Sequence, residues 1–306
     1  MVRYIALRLL LAVVAILGVS LIVFVCARLA GDVSYLLAGE GATPQEVMQV
    51  RQRLGFDRPV PVQYLLYLGR LLQGDFGYSI RYDRPVIDLI LDRYPATVQL
   101  AMAAFLLATV VGIALGMVAA RYRNRWPDTA ISGISVLGQS LPNFWLGIML
   151  IILFAVRLKW FPTSGRFNTL SLVLPTLALA IHSLGPIVRV TRASMLETGN
   201  RDFVRFLRAK GMGEKLITIK HVLRNALIPI TAMAGLQLST LLGGTVIIET
   251  VFVWPGIGSL MVDAIIQHDY ALIQAGAFLT STILILLNLA IDLLYGVIDP
   301  RVRHAG

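Results

Sequence analysis

Asn200-Arg-Asp-Phe-Val-Arg-Phe-Leu-Arg-Ala-Lys-Gly211-Met-Gly-Glu-Lys-Leu-Ile-Thr-Ile-Lys-His221-Val-Leu-Arg-Asn-Ala-Leu-Ile-Pro229 is a charged island between two apolar runs. Asn200 is placed as an N-cap, with Asp202 in the first turn of a helix. Phe203, Phe206 and Leu207 recur at i, i+3 and i+4, which is one apolar stripe, and Arg201, Arg205 and Arg208 fall on the other side. Lys210 sits in the last turn, and Gly211 follows as a C-cap because the turn calls for a residue that tolerates positive φ. A second helical stretch through Leu216, Ile217, Lys220, Leu223 and Arg224 leads into the next apolar run near Pro229. Such a helix–glycine–helix lies along a membrane surface and offers an apolar ridge fringed by positive charge. Two readings fit: an interfacial helix touching anionic lipid, or a docking element for a cytoplasmic partner.

The runs on either side are long enough to cross a bilayer, and so are four others. A hydrocarbon layer ~30 Å thick takes about 20 helical residues. Segments near 9–28, 97–119, 129–156, 169–190, 226–250 and 274–296 meet that length. Composition agrees: 57% of the 306 residues are hydrophobic, 14% are charged, and the mean hydropathy is +0.76. A soluble domain carries about a quarter charged residues, so the apolar excess faces lipid. The first segment follows Arg3 and Arg8, as a signal peptide would. Its run exceeds a usual signal core and no clear cleavage site follows, so a retained first helix is expected.

Charge sets the orientation. Arg3 and Arg8, the arginines at 121, 123 and 125, the nine basic residues from Arg189 to Arg224, and Arg301 with Arg303 place sixteen of the 27 basic residues on one side. Essentially all of the net charge of +10 then lies on that face. The positive-inside rule makes it cytoplasmic, with both termini inside. The same rule accounts for the basicity without nucleic acid. The long first outer loop carries helix-like stretches from Pro44 to Leu54 and Pro61 to Gln73, the latter with Tyr64, Leu65, Tyr67, Leu68, Leu71 and Leu72 on an apolar side. The expected organisation is an N-terminal transmembrane helix (1–30) and a periplasmic helical loop (31–96). A core of five transmembrane helices follows (97–300), with a cytoplasmic loop at 193–225, and then a tail at 301–306.

Strongly polar side chains within the spans are costly at the bilayer centre and face a bundle or a cavity. Gln139, Ser140, Asn143, His182, Ser183, Gln237, Ser239, Thr240, Asn288 and Asp292 are of this kind. Each alone reads as a helix–helix hydrogen bond; together they suggest a polar path. His182 has no second ligand at i+3 or i+4, so no metal site is expected. Cys26, the single cysteine, reads as packing. Gly112-Ile-Ala-Leu-Gly116 is a close-packing motif, and Gly243-Gly244 would let its helix pass near a neighbour. After Trp254-Pro-Gly256 a short re-entrant or surface helix is expected from about 257 to 268. No Gly-x-x-x-x-Gly-Lys-Ser/Thr loop occurs, so this chain is not itself an ATPase. His-Glu-x-x-His, Gly-x-Ser-x-Gly and paired intramembrane aspartates are also absent, which argues against an intramembrane hydrolase. A membrane scaffold or receptor would not need the helix–glycine–helix loop.

Arg208-Ala-Lys-Gly211, followed nine residues on by His221-Val-Leu-Arg-Asn225 and then Pro229, resembles the cytoplasmic loop of permease subunits of binding-protein-dependent ABC importers. His221 and Arg224 stand where the generic motif has an apolar residue and a proline, and both are shared by the dipeptide/oligopeptide/nickel branch. Arg205-Phe-Leu207 replaces Glu-Ala-Ala. Leu54-Gly-Phe-Asp-Arg-Pro-Val60, Gly74-Asp-Phe-Gly-Tyr-Ser79, Arg84-Pro-Val86, Pro95-Ala-Thr97, Ser140-Leu-Pro-Asn-Phe-Trp145, Glu249-Thr-Val-Phe-Val-Trp-Pro-Gly-Ile-Gly258, His268-Asp-Tyr270 and Asp299-Pro-Arg301 resemble that branch in order and spacing. Ala30-Gly-Asp-Val33 departs from its usual Pro-Gly-Asp-Pro.

The resemblance implies an all-α subunit with six transmembrane helices, of the type I importer kind, working by alternating access in a bacterial inner membrane. It implies coupling to the ATPase through Phe203, Arg205, Phe206, Leu207, Arg208, Ala209, Lys210, Gly211, Met212 and Glu214. Helices 3 and 5 line the path in related permeases, so Gln139, Ser140, Asn143, Gln237 and Ser239 are the expected path residues. The implied partners are a second homologous permease, two cytoplasmic ATPase subunits, a periplasmic or lipid-anchored substrate-binding protein, and membrane lipid. ATP and magnesium belong to the ATPases, and this chain is expected to hold no cofactor. Di- or oligopeptides are the expected cargo, with nickel or a metal chelate as the alternative.

Overall fold

The computed structural model describes residues 2–29, 41–53, 57–79 and 81–298. The Ala30–Val33 departure, the Leu54-Gly-Phe56 triplet, Asp299-Pro-Arg301 and the 301–306 tail lie outside these residues. The order is α1 (Val2–Leu29), α2 (Pro44–Arg53), α3 (Val60–Leu72), a two-residue hairpin of β1 (Tyr78–Ser79) and β2 (Arg84–Pro85), then α4 (Val86–Arg121), α5 (Trp126–Ser140) and α6 (Asn143–Leu150). There follow α7 (Val173–Gly199), α8 (Asp202–Ala209), α9 (Arg224–Val251), α10 (Ile257–Ile266) and α11 (Tyr270–Ile298). Five stretches are each long and apolar enough to span a membrane: Ile5–Leu29, Val86–Arg121, Thr169–Gly199, Glu214–Val251 and Tyr270–Leu293. A sixth is the bent pair Trp126–Ser140 and Asn143–Arg157.

That bent pair occupies the segment read as one span over 129–156. Its halves meet at 103°. Leu141 is extended (φ −80°, ψ 134°) because a residue before proline is driven out of the helical region, and Pro142 offers no N–H to carry the ladder on. Other boundaries move too. The second span begins at Val86 rather than 97, with Pro95 inside it. The fourth runs on to Gly199, so Arg189 and Arg192 are helix residues rather than loop residues. The fifth is entered at Glu214, through a wide i→i+5 segment at Ile217–Leu223, and Pro229 lies inside α9.

Contacts divide the chain into two units, Met1–Pro95 with Leu260–Ala290 and Ala96–Ser259 with Ile291–Gly306. In the first, α3 lies on α1. The Phe24 ring centroid is 5.4 Å from that of Tyr64 and 5.7 Å from that of Tyr67, and Ser20 Oγ meets Tyr64 Oη at 2.8 Å. Leu65 and Leu72, expected on the packed side of α3, are exposed, and Gln63 is buried in their stead. Cys26, read as packing, is exposed on α1. The hairpin is tied to the start of α11: Ser79 Oγ donates to the Asp269 carboxylate, whose other oxygen caps the Leu272 N–H.

In the second unit, α4 presents a buried seam at four-residue spacing: Ala96, Leu100, Ala104 and Ala108 are all buried, and Gly112 and Gly116 continue the row. A Cβ on Gly112 would stand 2.8 Å from Ile187 Cγ2, and one on Gly116 would overlap Thr191. The Gly-x-x-x-Gly motif therefore seats α4 on α7. A Cβ on Gly243 or Gly244, by contrast, would meet no atom within 4 Å, so the expected close neighbour is not found among the described residues of this chain.

Candidate functional site

The charged island folds as a helix closed by a glycine turn. Asn200 is not the N-cap of α8. It closes α7, its N–H bonded to Glu197 O, and Arg201 takes the N-cap position. The far end is a complete Schellman motif. Gly211 N donates to Arg208 O at 2.9 Å and Met212 N to Leu207 O at 3.2 Å, with Gly211 at φ 76°. A Cβ at that φ would be strained, so the glycine read from the sequence has its physical reason.

The face of α8 that packs is not quite the stripe expected. Val204 is fully buried, and Leu207 and Met212 pack beside it. They share one cluster with Ile113, Met117 and Ala120 of α4, Val190 and Met195 of α7, and Ile217, Val222, Ala226 and Ile230 on the way into and along α9. Phe203 and Phe206 point away; Phe206 is 58% exposed. Lys210 Nζ sits 4.7 Å above the Phe206 ring. Arg208 Nε donates to Glu214 Oε1 at 2.6 Å, bridging α8 to the next turn across the glycine. This hydrogen bond raises the Arg208 pKa above its ordinary value. Arg205 makes only a loose 3.5 Å ion pair with Asp202, and Ala209 is exposed. The ten expected coupling residues thus lie on α8 and the glycine turn that follows it. Leu207 and Met212 face inward, and Phe203, Arg205, Phe206, Lys210 and Glu214 face outward.

The expected path residues are spread over two places. Gln139, Ser140 and Asn143 flank the break between α5 and α6. Gln139 Oε1 accepts from Arg189 Nη2 at 2.7 Å, and Ser140 Oγ donates to Val136 O within its own helix. Asn143 stands at the start of α6, its Oδ1 buried without a hydrogen-bond partner among the described residues. Gln237 is buried and donates to Ser183 O at 3.1 Å, tying α9 to α7; Ser239 lies half-buried two residues on.

Two polar clusters escaped the sequence reading. Asp128, 4% exposed in the first turn of α5, accepts both Arg192 Nε (2.6 Å) and Nη2 (2.7 Å), and also the Asn124 N–H. The fork joins α5 to α7. Nothing in the sequence pairs residues so far apart; the only signal was an acid in a helix's first turn after Pro127. The second cluster centres on Glu249, fully buried near the end of α9. Thr97 Oγ1 donates to its carboxylate at 2.7 Å, as does Ser259 N at 3.1 Å, and Thr97 Oγ1 in turn accepts from Ile257 N. A side chain on Gly256 or Gly258 would collide with that carboxylate. Trp254, also buried, donates from Nε1 to Ala96 O. The Glu249–Gly258 stretch therefore folds the Trp-Pro-Gly turn around a carboxylate and launches α10 at Ile257, close to where a short helix was expected.

Several long apolar helices, one pair broken at a proline, with a short helix packed against α4, α7 and α9, define a polytopic membrane protein. The comparisons make the class specific. Residues 112–304 match the family described as binding-protein-dependent transport system inner membrane component, and residues 1–101 match its N-terminal membrane component. The chain belongs to this family and is a permease subunit of an ABC importer. The glutathione transport system permease protein GsiC of Escherichia coli (strain K12) is 42% identical over 305 residues, 99% of this chain and 100% of that one. The protein of the same name from Salmonella choleraesuis (strain SC-B67) is 41% identical over the same shares. Among solved structures, an inward-facing MetNI methionine ABC transporter superposes with a TM-score of 0.59 at 20% identity, over 70% of this chain and 97% of that one. An amino acid ABC transporter superposes at 0.51 and 15% identity, over 70% and 94%. These two show the fold alone. The relatives in sequence are transport subunits rather than enzymes; ATP is hydrolysed by partner subunits of the complex, which also includes a binding protein.

Proposed function

We propose that this subunit carries short peptides, of the size and charge of glutathione, across the inner membrane, with both termini in the cytoplasm. It pairs with a second homologous permease, stands on two ATPase subunits that supply ATP and magnesium, and receives cargo from a periplasmic or lipid-anchored binding protein; it holds no cofactor of its own. The observation that carries the mechanism is the division of α8 into two faces. Val204 and Leu207 fasten it to three membrane helices, while Phe203, Phe206, Arg205 and Lys210 face outward, where a partner can reach them. An ATPase pair closing against that outer face moves the bundle as a body, which is the rigid-body route to alternating access. The cargo reading is supported by the 42% identical permease named for glutathione, itself a small peptide.

The test has three parts. Gly211→Asp and Phe206→Asp should insert in the membrane yet lose ATPase co-purification and uptake; wild-type uptake in both would remove the coupling role. In a Cys26→Ser background, Tyr78→Cys should react with an impermeant reagent from outside and Met212→Cys should not, and the reverse pattern would invert the topology. For the cargo, the binding protein captured with this subunit is titrated with di- to pentapeptides, glutathione and Ni²⁺ while its unfolding temperature is followed. A shift with nickel species alone would make this a metal importer.

A further inference from the structure

Asp128 neutralises Arg192, but three residues earlier on α7 Arg189 has no acid. Its guanidinium donates to Gln139 Oε1 at 2.7 Å, and among the described residues no carboxylate lies within ion-pair distance. Depth makes this notable. α5 and α7 run antiparallel, since Asp128 meets Arg192 and the Ser135 carbonyl faces Gly185. Gln139 Oε1 folds back against Gly185, 3.5 Å from where its Cβ would stand, and Gly185 is seven residues along α7 from Arg192, about 10 Å at the helical rise, or roughly a third of a ~30 Å hydrocarbon layer counted from the Asp128–Arg192 pair. Arg189 is exposed on the chain's surface. An uncompensated cation within the span does not face lipid tails; such residues line a cavity or pathway.

The partner's chemistry is the second point. An amide oxygen orients a guanidinium without cancelling its charge, whereas a carboxylate would cancel it. The same device recurs at Arg166, whose Nη2 donates to Gln99 Oε1 at 2.7 Å. Arg189 also shares a helix face with His182, seven residues earlier. His182 Nδ1 and, beside the α5–α6 break, Asn143 Oδ1 are buried without hydrogen-bond partners among the described residues. Unspent polar atoms and an unspent positive charge therefore gather at the break.

We infer that Arg189, oriented by Gln139, is an anion-attracting residue of the translocation path, and that it favours solutes bearing a free carboxylate. The inference rests on the reading of the α5–α6 break as path-lining. It gives the subunit a cargo preference of its own, beyond that of the binding protein.

The test uses the assembled transporter in membranes, with Cys26→Ser and Ser140→Cys placing one thiol next to Gln139. The thiol is modified by negatively charged sulfonatoethyl and positively charged trimethylammonium-ethyl methanethiosulfonate, and the ratio of the two rates is read. With Arg189 present the anionic reagent should gain; Arg189→Gln should lower the ratio by roughly tenfold, and Arg189→Lys should largely keep it. With Ser140 intact, Arg189→Gln should cut glutathione uptake by a similar factor while ATP hydrolysis by the complex is unchanged. A thiol unreactive to both reagents, or a ratio indifferent to Arg189, would overturn the proposal. Unchanged glutathione uptake in a variant whose ratio has fallen would overturn the cargo preference. If the ratio responds but the wild type takes up no peptide, the peptide reading fails and the anion-attracting wall stands.

Discussion

The two faces of α8 can be separated by one pair of substitutions. Val204 is fully buried, so Val204→Ala removes two methyl groups from a packed site and leaves a cavity, at a cost of about 2 kcal/mol. The loss falls on the attachment of α8 to α4, α7 and α9. Phe206→Ala should cost the free subunit little, since exposed substitutions stay within about 0.5 kcal/mol. What it removes is surface for a partner. With 58% of the residue uncovered, about 110 Å² at ~25 cal/mol/Å² is worth nearly 3 kcal/mol when covered. Truncation to alanine forfeits about 2 kcal/mol of this, or roughly 30-fold in affinity. Hydrogen exchange over 203–212 and ATPase binding to purified permease are the two readouts. Val204→Ala should raise exchange by an order of magnitude or more. Phe206→Ala should leave exchange unchanged and weaken ATPase binding about 30-fold. ATPase affinity within twofold of wild type in Phe206→Ala would refute the assignment of the outer face.

Three further outcomes follow from the packing. Asp128→Asn strands the Arg192 guanidinium and should cost about 3 kcal/mol, at the low end for a buried pair because Arg192 is 29% exposed; thermal unfolding in detergent checks this, and Asp128→Leu with Arg192→Met should recover most of the loss. Gly112→Ala should destabilise by about 1–3 kcal/mol because Ile187 stands in the way, while Gly243→Ala, with open space around it, should leave the isolated subunit as stable or slightly more so. If Gly243→Ala instead abolishes uptake without changing subunit stability, another subunit occupies that space. Thr97→Val breaks its bonds to Glu249 and Ile257 and should cost about 1–3 kcal/mol in the same unfolding assay, with Thr97→Ser close to wild type.

Much of the architecture was legible because lipid enforces it. Only long apolar runs can satisfy their backbone in a membrane, so six runs in the sequence became five long helices and one broken pair. Gly211 was legible because a helix stop needs a residue at positive φ, and the apolar ridge of α8 was visible in its spacing. The misplaced boundaries have one physical source. Hydropathy reports where lipid ends, not where hydrogen bonding ends. Val86–Tyr94, Val190–Gly199 and Glu214–Asn225 are helical although they lie outside the apolar runs read from the sequence. Arg189 and Arg192 read as loop residues for that reason. The choice between Val204 and Phe206 as the buried anchor turned on rotation of a short helix, which a three-residue stripe fixes only loosely. The pairs Asp128–Arg192 and Thr97–Glu249 were invisible because tertiary proximity leaves no local pattern.

The attachment of α8 decides what kind of motion the subunit can transmit. A helix held by one neighbour would tilt alone under load. Here Leu207 and Met212 flank Val204 in a cluster drawn from α4, α7 and α9, and the Arg208–Glu214 bridge stiffens the glycine turn between α8 and the entrance to α9. Load on the outer face is therefore shared by three helices. Those helices are joined to one another by the Gly112 and Gly116 seam and by the Gln237 to Ser183 bond. The fork from Asp128 to Arg192 ties α5 to the same body, whereas beyond Ser140 the chain breaks and re-aims. Under the proposed mechanism the compliant point is then the α5–α6 junction. Straightening it by Pro142→Ala should stiffen the break and slow uptake while leaving ATPase docking intact. Loss of docking in that variant would show that the break supports the cytoplasmic face instead of relieving it.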